Sequence, residues 1–125
     1  MGPTRSRQDY LPIWRSYFEA AGWLREHSGR ESIVVARYPH LIHIVSERRA
    51  IHFLKSTDPE EVMAYLARYP DEFLVADSSS EIGKYFLPAV NAYPSRFELV
   101  YTTEAVPRTY ILRLREGQRE RSDSR

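Results

Sequence analysis

The stretch that decides the fold is FLVADSSSE, from Phe73 to Glu81. Its first four residues form a short apolar run, which is typical of a buried strand. An acidic residue and three serines follow, and Ser78 and Glu81 have the spacing of a helix capping box. An apolar strand that leads into a capped helix is how α/β domains build ligand sites, so this stretch predicts an α/β fold.

Strand and helix patterns alternate on both sides of this stretch. Apolar residues at three- and four-residue spacing predict a helix from Leu11 to His27. Asp58, followed by proline, predicts the start of another helix. The segment from Pro39 to Ser46 fits either a short helix or a bent strand, and the helix that Ser78 opens should run to about Ala92 with a kink at Pro88. The predicted strands are Ile33 to Ala36, Ala50 to Leu54, Phe73 to Ala76, Phe97 to Thr103 and Thr109 to Leu114.

This order predicts a three-layer, Rossmann-like α/β sandwich with a mostly parallel sheet, because near-continuous apolar strands that alternate with helices are covered on both faces. The last two strands are joined by a short connection, which predicts a C-terminal antiparallel hairpin. We expect one domain over residues 10–115, a flexible N-terminal tail over residues 1–9, and a disordered charged tail over residues 116–125.

The composition excludes several classes of protein. The chain has 125 residues, which suits one domain, and a net charge of +1, so nucleic acid is not an expected partner. It has no cysteine, which removes disulfides and thiolate metal sites. No apolar run is long enough for a membrane span, and the sequence predicts a chain that is soluble as given.

The candidate ligand-binding residues follow the first and third predicted strands. They are Arg37 and Tyr38 after the first strand, and Asp77, Ser78 and Ser79 after the third. Arginine can pair with a phosphate or carboxylate, tyrosine can stack on a sugar ring, and serines at a helix start can bind an anion through backbone N–H groups. The alternative is structural: an exposed arginine, a packed tyrosine and serines that only cap the helix.

Other polar groups have ordinary explanations. His40 and His43 are three residues apart, but a zinc site needs a third ligand and none is indicated, so we predict no metal and no cofactor. The sequence has no glycine-rich phosphate loop and no nucleophile elbow, and we assign no catalytic residue. Solvated charges are expected for the turn from Glu47 to Arg49, and for Asp71 and Glu72 in a loop, whereas Trp14 is expected in the core.

The order of several segments resembles a known family. The segments are Trp23-Leu24-Arg25-Glu26, Ser32-Ile33-Val34-Val35-Ala36-Arg37, Ser46-Glu47-Arg48-Arg49-Ala50, Asp58-Pro59-Glu60-Glu61-Val62, Phe73-Leu74-Val75-Ala76-Asp77, Tyr85-Phe86-Leu87-Pro88-Ala89 and Tyr93-Pro94-Ser95-Arg96-Phe97. Together they resemble the C-terminal soluble domain of bacterial polytopic membrane glycosyltransferases, the dolichyl-phosphate-mannose–protein mannosyltransferase and aminoarabinose transferase group, which use polyprenyl-phosphate sugars as donors. The resemblance covers about Trp14 to Leu114.

The resemblance implies a non-catalytic accessory domain at the extracytoplasmic face of the bacterial inner membrane, as part of a larger protein. Its partner would be the membrane-embedded part of the parent transferase, and it could help to bind a glycan or protein acceptor. The catalytic acids of such enzymes lie in an extracytoplasmic loop near the start of the membrane region, so none is carried over to this chain. The alternatives are a stand-alone module that binds a small anionic ligand and, least favoured, a small enzyme acting through Asp77.

Overall fold

The computed structural model describes residues 2–69 and 71–115, with residues 2–13 described by their backbone alone. These residues form four α-helices and a five-stranded mixed sheet. The helices are α1 (Gly2–His27), α2 (Pro39–Ser46), α3 (Pro59–Leu66) and α4 (Leu87–Ala92). The strands are β1 (Ile33–Ala36), β2 (Arg49–His52), β3 (Glu72–Ala76), β4 (Phe97–Thr102) and β5 (Tyr110–Leu114).

The strands lie in the order β2-β1-β3-β5-β4. β1 is parallel to both of its neighbours, whereas β5 is antiparallel to β3 and to β4. The predicted C-terminal hairpin is therefore confirmed. The prediction of a mostly parallel sheet is wrong for the sheet as a whole. The half formed by β2, β1 and β3 is parallel, but the hairpin places its second strand, β5, antiparallel beside β3 and makes the sheet mixed.

Helices cover both faces of the sheet. Successive side chains of a strand point to opposite faces, so Phe73 and Val75 on β3 pack with buried residues of α1 and α2, and Leu74 packs with buried residues of α3 and α4. β1 and β3 are buried along their whole lengths. They form the centre of the molecule and end side by side at one edge of the sheet.

Most of the predicted helices are present, with shifted ends. α1 begins at Gly2 rather than Leu11, so it runs through most of the expected N-terminal tail, whose mobility stays a prediction. The ambiguous segment from Pro39 is a helix, α2. The cap of α3 is confirmed, because the Asp58 side chain accepts a hydrogen bond from the backbone N–H of Glu60 at 3.0 Å. The expected tail at 116–125 lies outside the described residues.

The helix after β3 differs from its prediction. Ser79 rather than Ser78 caps it, since Ser79 Oγ accepts from the backbone N–H of Ile82 at 3.3 Å. The predicted box of Ser78 and Glu81 is therefore wrong. A π turn (Ile82–Phe86) leads into α4. The kink expected at Pro88 takes the form of this wide turn, because proline has no N–H to give to the turn before it.

The β4–β5 connection is fastened to α1 by one carboxylate. Glu19 accepts hydrogen bonds from the backbone N–H groups of Glu104 at 2.8 Å and Ala105 at 3.1 Å, and from the hydroxyl of Tyr101. The ladder between β4 and β5 is regular apart from a bulge between Leu99 and Tyr101. β4 is an edge strand of the sheet.

Candidate functional site

The carboxyl ends of β1 and β3 form the edge of the sheet at which the predicted ligand residues lie. We call this the carboxyl edge. The two strands are parallel neighbours, with Val35 beside Leu74. The chain leaves β1 towards β2 and leaves β3 in the opposite direction, towards β4. Open α/β sheets bind ligands where neighbouring connections diverge in this way.

Arg37 and Asp77 are the first residues beyond these strands, and their charged groups meet. Nη1 of Arg37 lies 3.9 Å from Oδ1 of Asp77. The side chain of Asp77 is 7% exposed and that of Arg37 is 28% exposed. Water screens this ion pair less than it would screen a surface pair. The structure thus leaves only part of the guanidinium open to solvent at the carboxyl edge.

Tyr38 also contacts the guanidinium of Arg37. Arg37 Nη2 donates a hydrogen bond to the Tyr38 hydroxyl, and the guanidinium carbon lies 4.7 Å from the centre of the Tyr38 ring. Burial alone would lower the pKa of Arg37, but this hydrogen bond and the charge of Asp77 outweigh it, so the pKa is raised. Arg37 therefore keeps its positive charge.

The serines at the carboxyl edge divide into two kinds. Asp77 Oδ1 accepts from the backbone N–H of Ser79 at 2.9 Å, and Ser79 caps the following helix. The structural alternative, in which these residues only shape the start of the helix, therefore accounts for Ser79 and for one of the contacts of Asp77. Ser78 is exposed. It therefore remains available to a ligand.

Two aromatic side chains of α1 extend the site, and sequence reasoning missed them. The Trp14 and Tyr17 rings each lie 5.6 Å from the Tyr38 ring. Tyr17 is fully buried, and its hydroxyl accepts from the backbone N–H of Tyr38 at 2.9 Å. Trp14, expected in the core, is only half-buried. The spacing of Trp14 and Tyr17 was the available signal that they lie together, since residues three apart on a helix share a face.

Burial raises the pKa of Tyr17 well above its usual value, although the hydrogen bond from Tyr38 acts against the rise. Tyr17 is therefore neutral and supports the Tyr38 backbone. The groups at the carboxyl edge are of kinds that can hold a ligand, since guanidinium N–H groups pair with anions and aromatic faces contact rings.

Histidine side chains make local hydrogen bonds. Nδ1 of His43 lies 2.9 Å from the carbonyl oxygen of Arg48, and Nδ1 of His52 lies 2.7 Å from that of Phe53. Among the side chains that the structure describes, those of residues 14–69 and 71–115, no three His, Asp or Glu are placed to hold a metal ion.

A polar cleft lies elsewhere, at the C-terminal end of α1. Its volume is about 470 Å³, and it is lined by Arg25, Arg30, Glu47 and Arg48. Arg48 was expected to be solvated, and this expectation is wrong, because the residue is only 9% exposed. A turn of three charged residues is usually solvated, and nothing in the local sequence shows that α1 ends beside it.

All five N–H donors of Arg48 have acceptors within the protein. The acceptors are the Ser28 hydroxyl at 2.9 Å and the carbonyl oxygens of Arg25 at 2.9 Å, Ser28 at 3.0 Å, and Ser46 and Glu47 at 3.4 Å each. The guanidinium thus satisfies carbonyls at the ends of α1 and α2, where a cation is favoured by the helix dipoles. Arg48 has no donor left for an anion, and we assign this cleft a structural role.

Comparisons with known proteins add no neighbour: no family model, no curated protein and no solved structure matches the chain. None of the helices in the described part of the chain is long and apolar enough to cross a membrane.

Proposed function

We propose that this chain is a non-catalytic extracytoplasmic accessory domain of a bacterial membrane glycosyltransferase that uses a lipid-linked sugar donor. The segment order described above supports this proposal. The single structural observation that carries it is the Arg37–Asp77 contact at 3.9 Å, at the edge where the connections that follow β1 and β3 diverge. That edge offers a guanidinium and aromatic rings, which suit acceptor binding rather than bond cleavage.

The roles of the polar groups at the carboxyl edge support a non-catalytic domain. A covalent mechanism needs a nucleophile within hydrogen-bond reach of a base. Asp77 instead accepts from the Ser79 backbone, and the Ser79 hydroxyl accepts from Ile82. We further propose a distant relationship to Rossmann-like folds, which the parallel half of the sheet and the helices on both faces support.

The source DNA offers the most direct test. We expect the reading frame to continue upstream of the Thr4 codon through several apolar spans of roughly 20 residues each, with an acidic pair in the first extracytoplasmic loop. A start codon with its ribosome site at Met1, and no membrane-protein gene beside it, would contradict the proposal.

A stand-alone module that binds a small anionic ligand is the second candidate. The observation that favours it is the partial exposure of Arg37, at 28%, beside the ring of Tyr38. A sugar phosphate would place its phosphate on the guanidinium and its ring against Tyr38 or Trp14. The membrane part of a transferase is not needed for this activity.

Thermal unfolding with glucose 1-phosphate, citrate and a uridine diphosphate as separate probes tests this candidate. A ligand at a hundred times its Kd stabilises the folded state by about 2.7 kcal/mol, which raises Tm by several degrees. Arg37→Gln should abolish the shift. Arg68→Gln is the matched control, because the Arg68 guanidinium also lies over a tyrosine ring, 5.8 Å from the centre of Tyr65. No shift with any probe would remove this candidate.

A further inference from the structure

Glu72 is a buried carboxyl group whose oxygens have no partner. It is the first residue of β3, and it is 1% exposed. Among the described residues, its two carboxyl oxygens are the buried side-chain polar atoms without a hydrogen bond. Sequence reasoning placed it in a loop with solvated charges, and that prediction is wrong. A charge buried in this way is costly, so the group must remain neutral or find a cation.

Two neighbouring elements bring ionisable groups near Glu72. Glu72 pairs in register with Ile33 on β1 and shares a face of β3 with Leu74, which packs against α3 and α4. From α3, Tyr65 interacts with it electrostatically. Arg96 does so from the 3₁₀ turn (Pro94–Arg96) that precedes β4.

The other nearby cations are engaged elsewhere. The Arg113 guanidinium on β5 lies 5.2 Å from the centre of the Phe73 ring, which faces the opposite side of the sheet. The Arg49 guanidinium on β2 lies 5.8 Å from the centre of the Tyr69 ring. Arg96 is therefore the cation best placed to respond to a charge on Glu72.

Burial raises the pKa of Glu72 to about 8, and the charge of Arg96 opposes the rise without cancelling it. Glu72 is thus mostly protonated at neutral pH. In that state it fits beneath α3 without a counter-charge.

Arg96 meanwhile closes the open end of the hairpin. Its Nε donates to the carbonyl oxygen of Arg115, and the Arg115 backbone N–H donates to the carbonyl oxygen of Arg96 at 2.6 Å. These two bonds lie directly beside the last ladder pair of the hairpin, Phe97 with Leu114. Arg96 thus links the two strands just beyond their last ladder pair.

We propose that Glu72, Arg96 and Arg115 form a proton-dependent latch. When Glu72 is neutral, Arg96 holds the Arg115 carbonyl and the hairpin end is closed. When Glu72 releases its proton to solvent, the carboxylate attracts the Arg96 guanidinium, which leaves the Arg115 carbonyl and loosens the hairpin end. A guanidinium binds a carboxylate more strongly than a neutral carbonyl oxygen where water screens the charges poorly.

The sign of the pH dependence follows from the direction of the pKa change. The folded state holds the Glu72 proton more tightly than the unfolded chain does, so its contribution to stability is complete below about pH 4.5 and is lost as the pH rises through about 8. Between these limits the unfolding equilibrium constant should rise by up to about tenfold per pH unit.

The first test compares denaturant unfolding of the wild-type protein and Glu72→Gln from pH 5 to pH 9. Glutamine keeps the shape and cannot titrate, so the ratio of the wild-type to the Glu72→Gln unfolding constant should rise by two or more orders of magnitude across this range. Glu26→Gln, at an exposed position on α1, is the control and should follow the wild type. A constant ratio for Glu72→Gln would overturn the proposal.

The second test uses the wild-type protein alone and does not depend on a folded variant. Carbon NMR of the Glu72 carboxyl should show a titration midpoint near pH 8. The hydrogen-exchange protection factor of the Arg115 amide should fall across the same midpoint through local opening, while that of Ile111, a buried residue of β5, should change only as far as the global stability measured in the first test changes. A midpoint near that of a solvated glutamate, or unchanged protection at Arg115, would contradict the latch.

Discussion

The guanidinium of Arg48 lies 2.9 Å from the backbone carbonyl oxygen of Arg25, which ties the turn after α2 to the last turn of α1. Carbonyls at helix ends have no partner within the helix. One buried cation thus joins two helices that are packed on the same face of the sheet.

Replacing Arg48 with methionine should lower the free energy of unfolding by about 3 kcal/mol, because four carbonyls in buried or partly buried hydrogen bonds lose a charged donor. Urea denaturation measures the loss. Arg30→Met is the matched control, since Arg30 lines the same cleft but is exposed. Equal losses in the two variants would show that the Arg48 hydrogen bonds do not stabilise the fold.

Tyr17→Phe should lower the free energy of unfolding by about 1–2 kcal/mol, since the Tyr38 backbone N–H would lose its acceptor. Thermal or urea unfolding gives the value. Tyr110→Phe, at a 41% exposed tyrosine, should be nearly neutral. If both variants behave alike, the hydroxyl of Tyr17 does not support the carboxyl edge.

Glu19→Gln should reduce stability at pH 7 by about 1 kcal/mol, because a neutral amide accepts the loop N–H groups less strongly. Burial would raise the pKa of Glu19, but hydrogen bonds from Tyr101, Glu104 and Ala105 outweigh it and lower the pKa. The stability from this group is therefore present above about pH 4.5 and is lost as the pH falls through its lower folded pKa.

The two Tm values, for the wild type and Glu19→Gln, should accordingly converge as the pH approaches 2. Glu104→Gln, at an exposed carboxylate in the same loop, serves as the control. A difference between the wild type and Glu19→Gln that persists unchanged at pH 2 would argue against a charge-assisted contact.

Asp58→Ala should lower the free energy of unfolding by about 1 kcal/mol, since α3 loses the side chain that accepts from Glu60. Asp58→Asn should retain most of the stability, because asparagine caps helices almost as well. Urea denaturation distinguishes the two variants. An asparagine variant as weak as the alanine variant would show that the negative charge, and not the cap, is what matters.

Local signals in the sequence predicted the central part of the fold. The cap at Asp58 depends on neighbouring residues alone, and so does the continuous apolar run of β1. Ser79 replaced the predicted cap Ser78 because Asp77 takes the Ser79 N–H into a tight turn, which moves the helix start along by one residue. Which of two neighbouring serines caps a helix depends on the orientation of the side chains around them, and the sequence alone does not show that orientation.

The candidate site was predictable only where it follows directly from strand ends. Arg37 and Asp77 are brought together because parallel neighbouring strands end at one edge. Trp14 joins them because α1 packs across the sheet, which no local pattern encodes. Glu72 was assigned to a loop because an acidic residue is rarely fully buried, and only the full packing of β3 shows its burial.

The bulge between Leu99 and Tyr101 has a consequence for self-association. β4 lies at the rim of the sheet, and Leu99 is 55% exposed, so a straight ladder there would offer a template to a strand from another molecule. A bulge twists the rim and interrupts the row of backbone groups that such a strand would need. We therefore expect the irregularity at Val100 to protect the molecule against fibrillar aggregation along β4.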